Sequence, residues 1–114
     1  MFKIEAIIRE EVFEDVKEAL SEINLKGLTV YQVMGCGVQK GHTEVVRGNK
    51  IELNMLPKIK LEIVVSTEEW VEKTIDIIKK AAYTGHMGDG KIFVYKLSDA
   101  IRIRTGERGV EAIR

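Results

Sequence analysis

The chain has 114 residues, enough for one domain around one buried core, and 45% of them are hydrophobic. Its 18 basic and 18 acidic residues cancel, which argues against broad nucleic-acid binding, because that needs a basic surplus to displace counterions. The single cysteine, Cys36, excludes an intrachain disulfide and a cysteine-based zinc site; no apolar run approaches the ~20 residues of a membrane span and no leader pattern opens the chain, so it is expected to be soluble and cytosolic.

Phe2, Ile4, Ala6 and Ile8 alternate with Lys3, Glu5 and Ile7, the period of a strand with one face more buried. Val12, Phe13, Val16, Ala19, Leu20 and Ile23 then recur at threes and fours and share a helix face. Glu10, Glu11, Glu14 and Asp15 cluster at its start, where the helix dipole favours negative charge, and Asn24 and Gly27 supply stop signals. Residues 28–34 predict a second strand, broken by Gly35-Cys36-Gly37. Residues 37–56 are mostly polar without periodicity. Structureless loops beyond ~12–15 residues are uncommon unless functional or disordered, so a long mobile functional loop is expected there.

After Pro57, residues 58–65 predict a third strand in which Lys58, Lys60 and Glu62 alternate with Ile59, Leu61 and Ile63. Ser66 followed by Glu69 matches a capping box for a second helix, whose apolar face is Trp70, Val71, Thr74, Ile75, Ile78 and Ala82 and whose end falls near Gly85. A glycine-rich turn leads to a fourth strand over residues 92–97. In the C-terminal segment, 98–114, Ile101 and Ile103 alternate with Arg102 and Arg104 as a short extended tail. The order βαββαβ predicts a single α+β domain of ferredoxin-like arrangement: an antiparallel sheet with both helices on one face. The apolar content of the other face suggests a covering partner subunit.

The strongest local signal is Thr84-Gly85-His86-Met87-Gly88-Asp89-Gly90-Lys91. Glycines there let backbone N–H groups converge as a nest for phosphate oxygens, and Lys91 adds a positive charge. Residues 85–91 fit the first seven positions of G-x-x-x-x-G-K, but Ile92 replaces the Ser/Thr that would hold magnesium and a strand follows where a helix should. The loop is therefore either a phosphate cradle of another kind or a tight turn that needs glycine, and the residues alone weigh these equally. Arg102 and Arg104, two apart in an extended segment, would point to one side as planar donor forks suited to phosphate; alone, a solvated edge strand explains them better. Lys58, beside the long loop, is placed to meet an anion at its base, whereas Lys60 fits a solvated face. His42 and His86 are isolated in sequence and read as surface histidines, Cys36 as a small filler, and Asp89 as a turn former. No general base is evident, which fits binding rather than turnover.

Gln39-Lys40-Gly41-His42-Thr43-Glu44, Arg47-Gly48, Leu56-Pro57-Lys58, Thr84-Gly85, Gly88-Asp89-Gly90-Lys91-Ile92-Phe93-Val94 and residues 101–108 together resemble the PII signal-transduction family, of the GlnB/GlnK type, nearly end to end. The resemblance implies a cytoplasmic homotrimer of ferredoxin-like subunits, recruited to the inner face of the membrane when a transporter is its target, with ATP or ADP in each cleft between subunits. By analogy, Thr29, Glu62 and Val64 hold the adenine and ribose side. Gly35, Gly37, Val38 and Gln39 border the nucleotide, and residues 85–91 (Gly85, His86, Met87, Gly88, Asp89, Gly90 and Lys91) cradle its phosphates. Arg102 and Arg104 reach the phosphates from a neighbouring subunit. Gln39 helps ligate Mg, and Gln39, Lys40, Gly41 and Lys58 receive 2-oxoglutarate.

The long loop is then the family's T-loop, which docks on targets, with Arg47 matching the arginine that enters the pore of an ammonium transporter. Glutamine synthetase, a nitrogenase-related target or another nitrogen-metabolism enzyme are further partners it allows. Three departures matter. Ile51 stands where uridylylated relatives have tyrosine, and Asn49 where phosphorylated ones have serine, so control by ligands alone is expected. Val38 replaces an arginine that touches ATP in many relatives, and one lost charge-assisted contact costs roughly 1.5–3 kcal/mol, or about one to two powers of ten in affinity. The resemblance implies a nitrogen-regulatory signal transducer rather than an enzyme; a slow ATPase, or an adenylate sensor without 2-oxoglutarate response, are the alternatives.

Overall fold

Alternation in the first residues becomes strand β1 (Phe2–Arg9), which buries Ile4, Ala6 and Ile8 on one face and leaves Lys3, Glu5, Ile7 and Arg9 part-exposed on the other. The computed structural model describes residues 1–25, 27–38 and 53–114. A 3-10 turn over Glu10–Val12 leads into helix α1 (Phe13–Ser21), with Glu14 and Asp15 in its first turn beside the positive helix end. Asn24, the predicted stop, takes a positive φ of 60°. Strands β2 (Thr29–Val38) and β3 (Leu53–Val65) follow, then α2 (Glu68–Ala82), β4 (Lys91–Lys96) and a C-terminal 3-10 turn, Gly109–Ile113.

The sheet order is β2-β3-β1-β4, antiparallel throughout, the ferredoxin-like topology that the sequence predicts. Ile4, Ala6 and Ile8 pair with Ile63, Leu61 and Ile59, so adjacent central strands present one continuous apolar face. Val16 and Leu20 of α1 and Val71, Ile78 and Ala82 of α2 close over it. Each fully buried aliphatic side chain there contributes about 1.5–3 kcal/mol relative to exposure. Among the described residues no helix is long and apolar enough to cross a membrane.

Four sequence expectations change. Gly35-Cys36-Gly37 do not break β2, which runs on to Val38, while β3 begins at Leu53, so both ends of the segment expected as loop are hairpin arms. Pairing across the hairpin, such as Gly35 with Leu56 and Cys36 with Met55, replaces the alternation the sequence lacks. Pro57 lies inside β3, one residue past the last pairing with β1, where that flank of the strand has no neighbour to donate to. The cap of α2 is Thr67, not Ser66: Thr67 is extended, and its hydroxyl accepts from the Trp70 N–H at 3.2 Å. The helix ends at Ala82, before Gly85. Finally, Arg102 and Arg104 are not in an extended tail. Ile101 bridges Arg108, the Arg102 N–H donates to Glu107 O and the Gly106 N–H to Arg102 O, so the segment doubles back as a tight turn. The two arginines therefore lack the side-by-side alignment of a strand.

Candidate functional site

The loop from Thr84 to Gly90 joins α2 to β4 and is built around one carboxylate. Asp89 Oδ2 accepts from the N–H groups of Thr84 (2.9 Å) and Gly85 (3.0 Å), and Oδ1 accepts from the Thr84 hydroxyl and from Arg9 Nε at 3.0 Å. The Thr84 hydroxyl and N–H, with help from Arg9 and the Gly85 N–H, hold the Asp89 carboxyl far below the usual carboxylate range. Asp89 is thus the turn former that the sequence suggests. It also occupies the Thr84 and Gly85 donors, which a free nest would have offered to phosphate. Gly90 is forced to be glycine: its φ is 104°, and a Cβ there would lie 1.7 Å from Ile7 O. His86, Met87, Gly88 and Lys91 are exposed.

Two cations anchor this loop from the sheet. Arg9, the last residue of β1, also donates from Nη2 to Met87 O at 2.7 Å, and Lys58 Nζ donates to Gly88 O at 2.7 Å. Arg9 and Lys58 are register partners, and like charges opposite one another repel; Asp89 and the two carbonyls offset this. Gly35 leaves room for the Lys58 stem, since a Cβ there would sit 3.2 Å from Lys58 Cγ.

Farther along the same sheet face, Thr29 pairs with Glu62, and Glu62 with Glu5. Two carboxylates side by side are held by two tyrosines and two lysines. Tyr31 donates to Glu62 (3.1 Å) and Tyr95 to Glu5 (2.6 Å), and Lys60 lies 3.4 Å from Glu5 and 3.7 Å from Glu62. Lys60 also lies over the Tyr31 ring and Lys3 over the Tyr95 ring. The Tyr95 hydroxyl lowers the Glu5 carboxyl, and the carboxylates raise both tyrosines. Lys60 is therefore a member of a polar layer rather than a free surface lysine. Glu62 stands four residues from Lys58, about 13 Å along the strand, and Val64 lies one strand repeat beyond it on the same face, exposed.

The arginines lie elsewhere. Arg102 donates from Nη1 to Glu107 (2.6 Å) and from Nη2 to the carbonyls of Arg114 (2.5 Å) and Glu111 (3.2 Å). Arg114 shares a cavity with Val64, Val65 and Ser66, at the end of β3 away from Lys58. Arg104 is exposed in its turn. The structure thus brings Gly35, Lys58 and the 84–91 loop together at one end of the sheet, sets Thr29 and Glu62 along its open face, and leaves Arg102 toward the other end. A second cavity, of about 760 Å³, opens behind the loop, between α2 and β4, and is lined by Ile75, Lys79, Tyr83, Gly90 and Lys91 among others, but not by Thr29, Glu62 or Val64.

Gln39, Lys40, Gly41 and Arg47, like His42, Asn49 and Ile51, lie outside the described residues. Gly37 and Val38 are placed by the β2–β3 pairing; the expectation for Val38 concerns its side chain, which is outside the described part. Among the described residues no group of three His, Cys, Asp or Glu side chains is placed to hold a metal ion. Sequence reasoning missed Arg9, Tyr31, Tyr95 and Glu5. The alternation of β1 would have put Glu5 and Arg9 on the open face, but Asp89 is 80 residues from Arg9 and Tyr95 is 90 from Glu5.

A family model described as nitrogen regulatory protein P-II matches residues 1–107. The chain is 55% identical over 113 residues to a nitrogen regulatory protein P-II of Rhodospirillum rubrum, covering 99% of this chain and 100% of that one. It is 49% identical over 110 residues to nitrogen regulatory protein GlnK of Escherichia coli, covering 96% and 97%. The solved structure of a Bacillus subtilis (B. subtilis) GlnK-ATP complex superposes with a TM-score of 0.84 at 48% identity, covering 97% of this chain and 96% of that chain.

Proposed function

Because the chain belongs to the nitrogen regulatory protein P-II family, we propose that it is a signal transducer that binds ATP or ADP at the 84–91 loop and passes that state to target proteins through the 37–56 segment. The observation that carries this is the loop itself: a glycine-locked turn, anchored from below by Arg9 and Lys58, with Lys91 exposed at its exit. Backbone donors plus a lysine suit phosphate oxygens, and a relative of the same fold is known as an ATP complex. Lys91 and the loop would hold the phosphates, and Thr29, Glu62 and Val64 the adenine and ribose side. We take the chain to be a regulator rather than an enzyme, as its family's name states.

Arg102 is bonded to the Arg114 carbonyl, and Arg114 lines the cavity at the end of β3 away from Lys58 and the loop. We take Arg102 and Arg104 to complete the site from a second copy, and the open sheet face, with its internally neutralised Lys-Glu-Tyr layer, is suited to being covered by one. A homotrimer is the assembly we propose. Asp89, the loop's one carboxylate, is saturated by donors, so magnesium would take its oxygens from the nucleotide and from Gln39. We place 2-oxoglutarate at Lys58, Gln39, Lys40 and Gly41, the chain in the cytoplasm, and its contact with an ammonium transporter, at the inner face of the membrane, at Arg47. Glutamine synthetase or another nitrogen-metabolism enzyme is the further class of target.

A second reading, an adenylate sensor without 2-oxoglutarate response, is favoured by one observation: the Lys58 ammonium already gives one of its three donors to Gly88 O, so a carboxylate there would share it with the loop. Calorimetric titration of MgATP and MgADP, each with and without 2-oxoglutarate, separates these. Binding of 2-oxoglutarate only with MgATP is expected, with reciprocal coupling of the two ligands. Nucleotide binding alone selects the second reading, and binding of neither nucleotide overturns both.

A further inference from the structure

The turn at Met87 and Gly88 offers its central peptide in one of two orientations. Gly88 has φ 100°, while Met87 is not among the residues with positive φ. A turn with positive φ at its second central residue alone is type II, whose central peptide is flipped relative to type I. Here that peptide's carbonyl, Met87 O, is fixed by Arg9 Nη2 at 2.7 Å, and the Arg9 guanidinium lies where a Gly88 side chain would be, 3.2 Å from the position of its Cβ. The peptide is trans, so the Gly88 N–H points opposite to the Met87 carbonyl, away from Arg9. Among the described residues that N–H has no hydrogen-bond partner. Flipping the peptide would release Arg9 and present a carbonyl, which repels phosphate, where the N–H now stands.

We infer that Arg9 is a positioning residue for the phosphates of the nucleotide: from the end of β1 it locks the Met87–Gly88 peptide with its N–H outward. Nε fixes the next anchor, Asp89, at 3.0 Å, so one planar guanidinium holds the loop at two points. A lysine carries its donors on one nitrogen and cannot reproduce the spacing of the planar fork across the two points. Arg9 touches no ligand in this role and acts through the peptide alone. The inference rests on the nucleotide reading above, and its test keeps the two apart.

The unmodified chain, Arg9→Met and Arg9→Lys are each titrated calorimetrically with ADP and with adenosine. Arg9→Met is expected to weaken ADP by about tenfold, the scale of one lost hydrogen bond to a charged ligand, and to leave adenosine unchanged, because adenosine has no phosphate to meet the Gly88 N–H. Arg9→Lys falls between, and serves alone should the methionine variant not fold. Equal ADP affinity in the unmodified chain and the Arg9 variants overturns the inference and leaves the nucleotide reading standing. An equal loss for ADP and adenosine also overturns it, since that is the mark of a merely structural arginine. No ADP binding by the unmodified chain overturns the nucleotide reading and the inference with it.

Discussion

Two tight turns of this protein combine glycine, a carboxylate and basic side chains, and they leave their cations in opposite states. In the 84–90 loop, Asp89 accepts two backbone N–H groups, a hydroxyl and Arg9, and Lys91 emerges exposed. In the 101–108 turn, the carboxylate of Glu107 accepts from Arg102 Nη1 at 2.6 Å, and Asp99 takes Arg108 at 2.7 Å. The first carboxylate shapes backbone; those at the second turn pair with Arg102 and Arg108. An anion arriving at the first turn meets a preformed donor, whereas at the second it must displace a carboxylate already paired.

The largest test of that contrast is steric. Gly90→Ala places a Cβ 1.7 Å from Ile7 O at a φ of 104°, so a loss above about 4 kcal/mol is expected in denaturant unfolding. Gly106→Ala, with nothing within 4 Å of its Cβ, carries only the conformational strain of about 1–2 kcal/mol. Equal losses would break the picture of one locked and one adaptable turn. Next come the cations. Lys91→Gln is expected to weaken ADP by about ten- to a hundredfold. Arg102→Gln should cost only about a fewfold, since Arg102 must first give up Glu107, and Glu107→Gln should strengthen ADP by a similar factor. Titration of the three variants checks the order, and a larger loss at Arg102 than at Lys91 would reverse it.

The smallest effect is in acid. Asp89 is depressed in the folded chain, first by its Thr84 bonds, and Asp99, first by Arg108. A depressed carboxyl contributes stability that is full above its unfolded pKa of about 3.9 and is lost as pH falls through the folded value. Stability should therefore decline below about pH 4, and Asp89→Asn should flatten that decline. An unchanged acid limb in the variant would show that Asp89 does not organise the loop.

The βαββαβ order was legible because burial on one face imposes alternation in β1 and β3 and threes and fours in both helices. The hairpin arms at residues 35–38 and 53–56 were not, because they pair beyond the last pairing of β3 with β1, and Gly35, Cys36, Met55 and Leu56 bury no side chain there. The glycine turn was legible as a turn and as a phosphate candidate, but not its use of Asp89 to occupy two of its own donors. Arg9 could not be read at all: its contacts cross 78 and 80 residues and depend on the register of β1 against β3. Arg102 and Arg104 misled for a related reason, since the bridge between Ile101 and Arg108 converts an alternating segment into a turn.

The account turns on phosphate meeting the 84–91 loop, and amide-resolved NMR of the labelled chain titrated with ADP and with adenosine tests that most directly. The amides of Gly88, Gly90 and Lys91 are predicted to shift with ADP and to stay in place with adenosine, while residues around Thr29 and Glu62 respond to both. If ADP instead moves Ile75, Lys79 and Tyr83, which line the cavity between α2 and β4, and leaves the Gly88 amide unchanged, the loop is a turn and the site lies elsewhere.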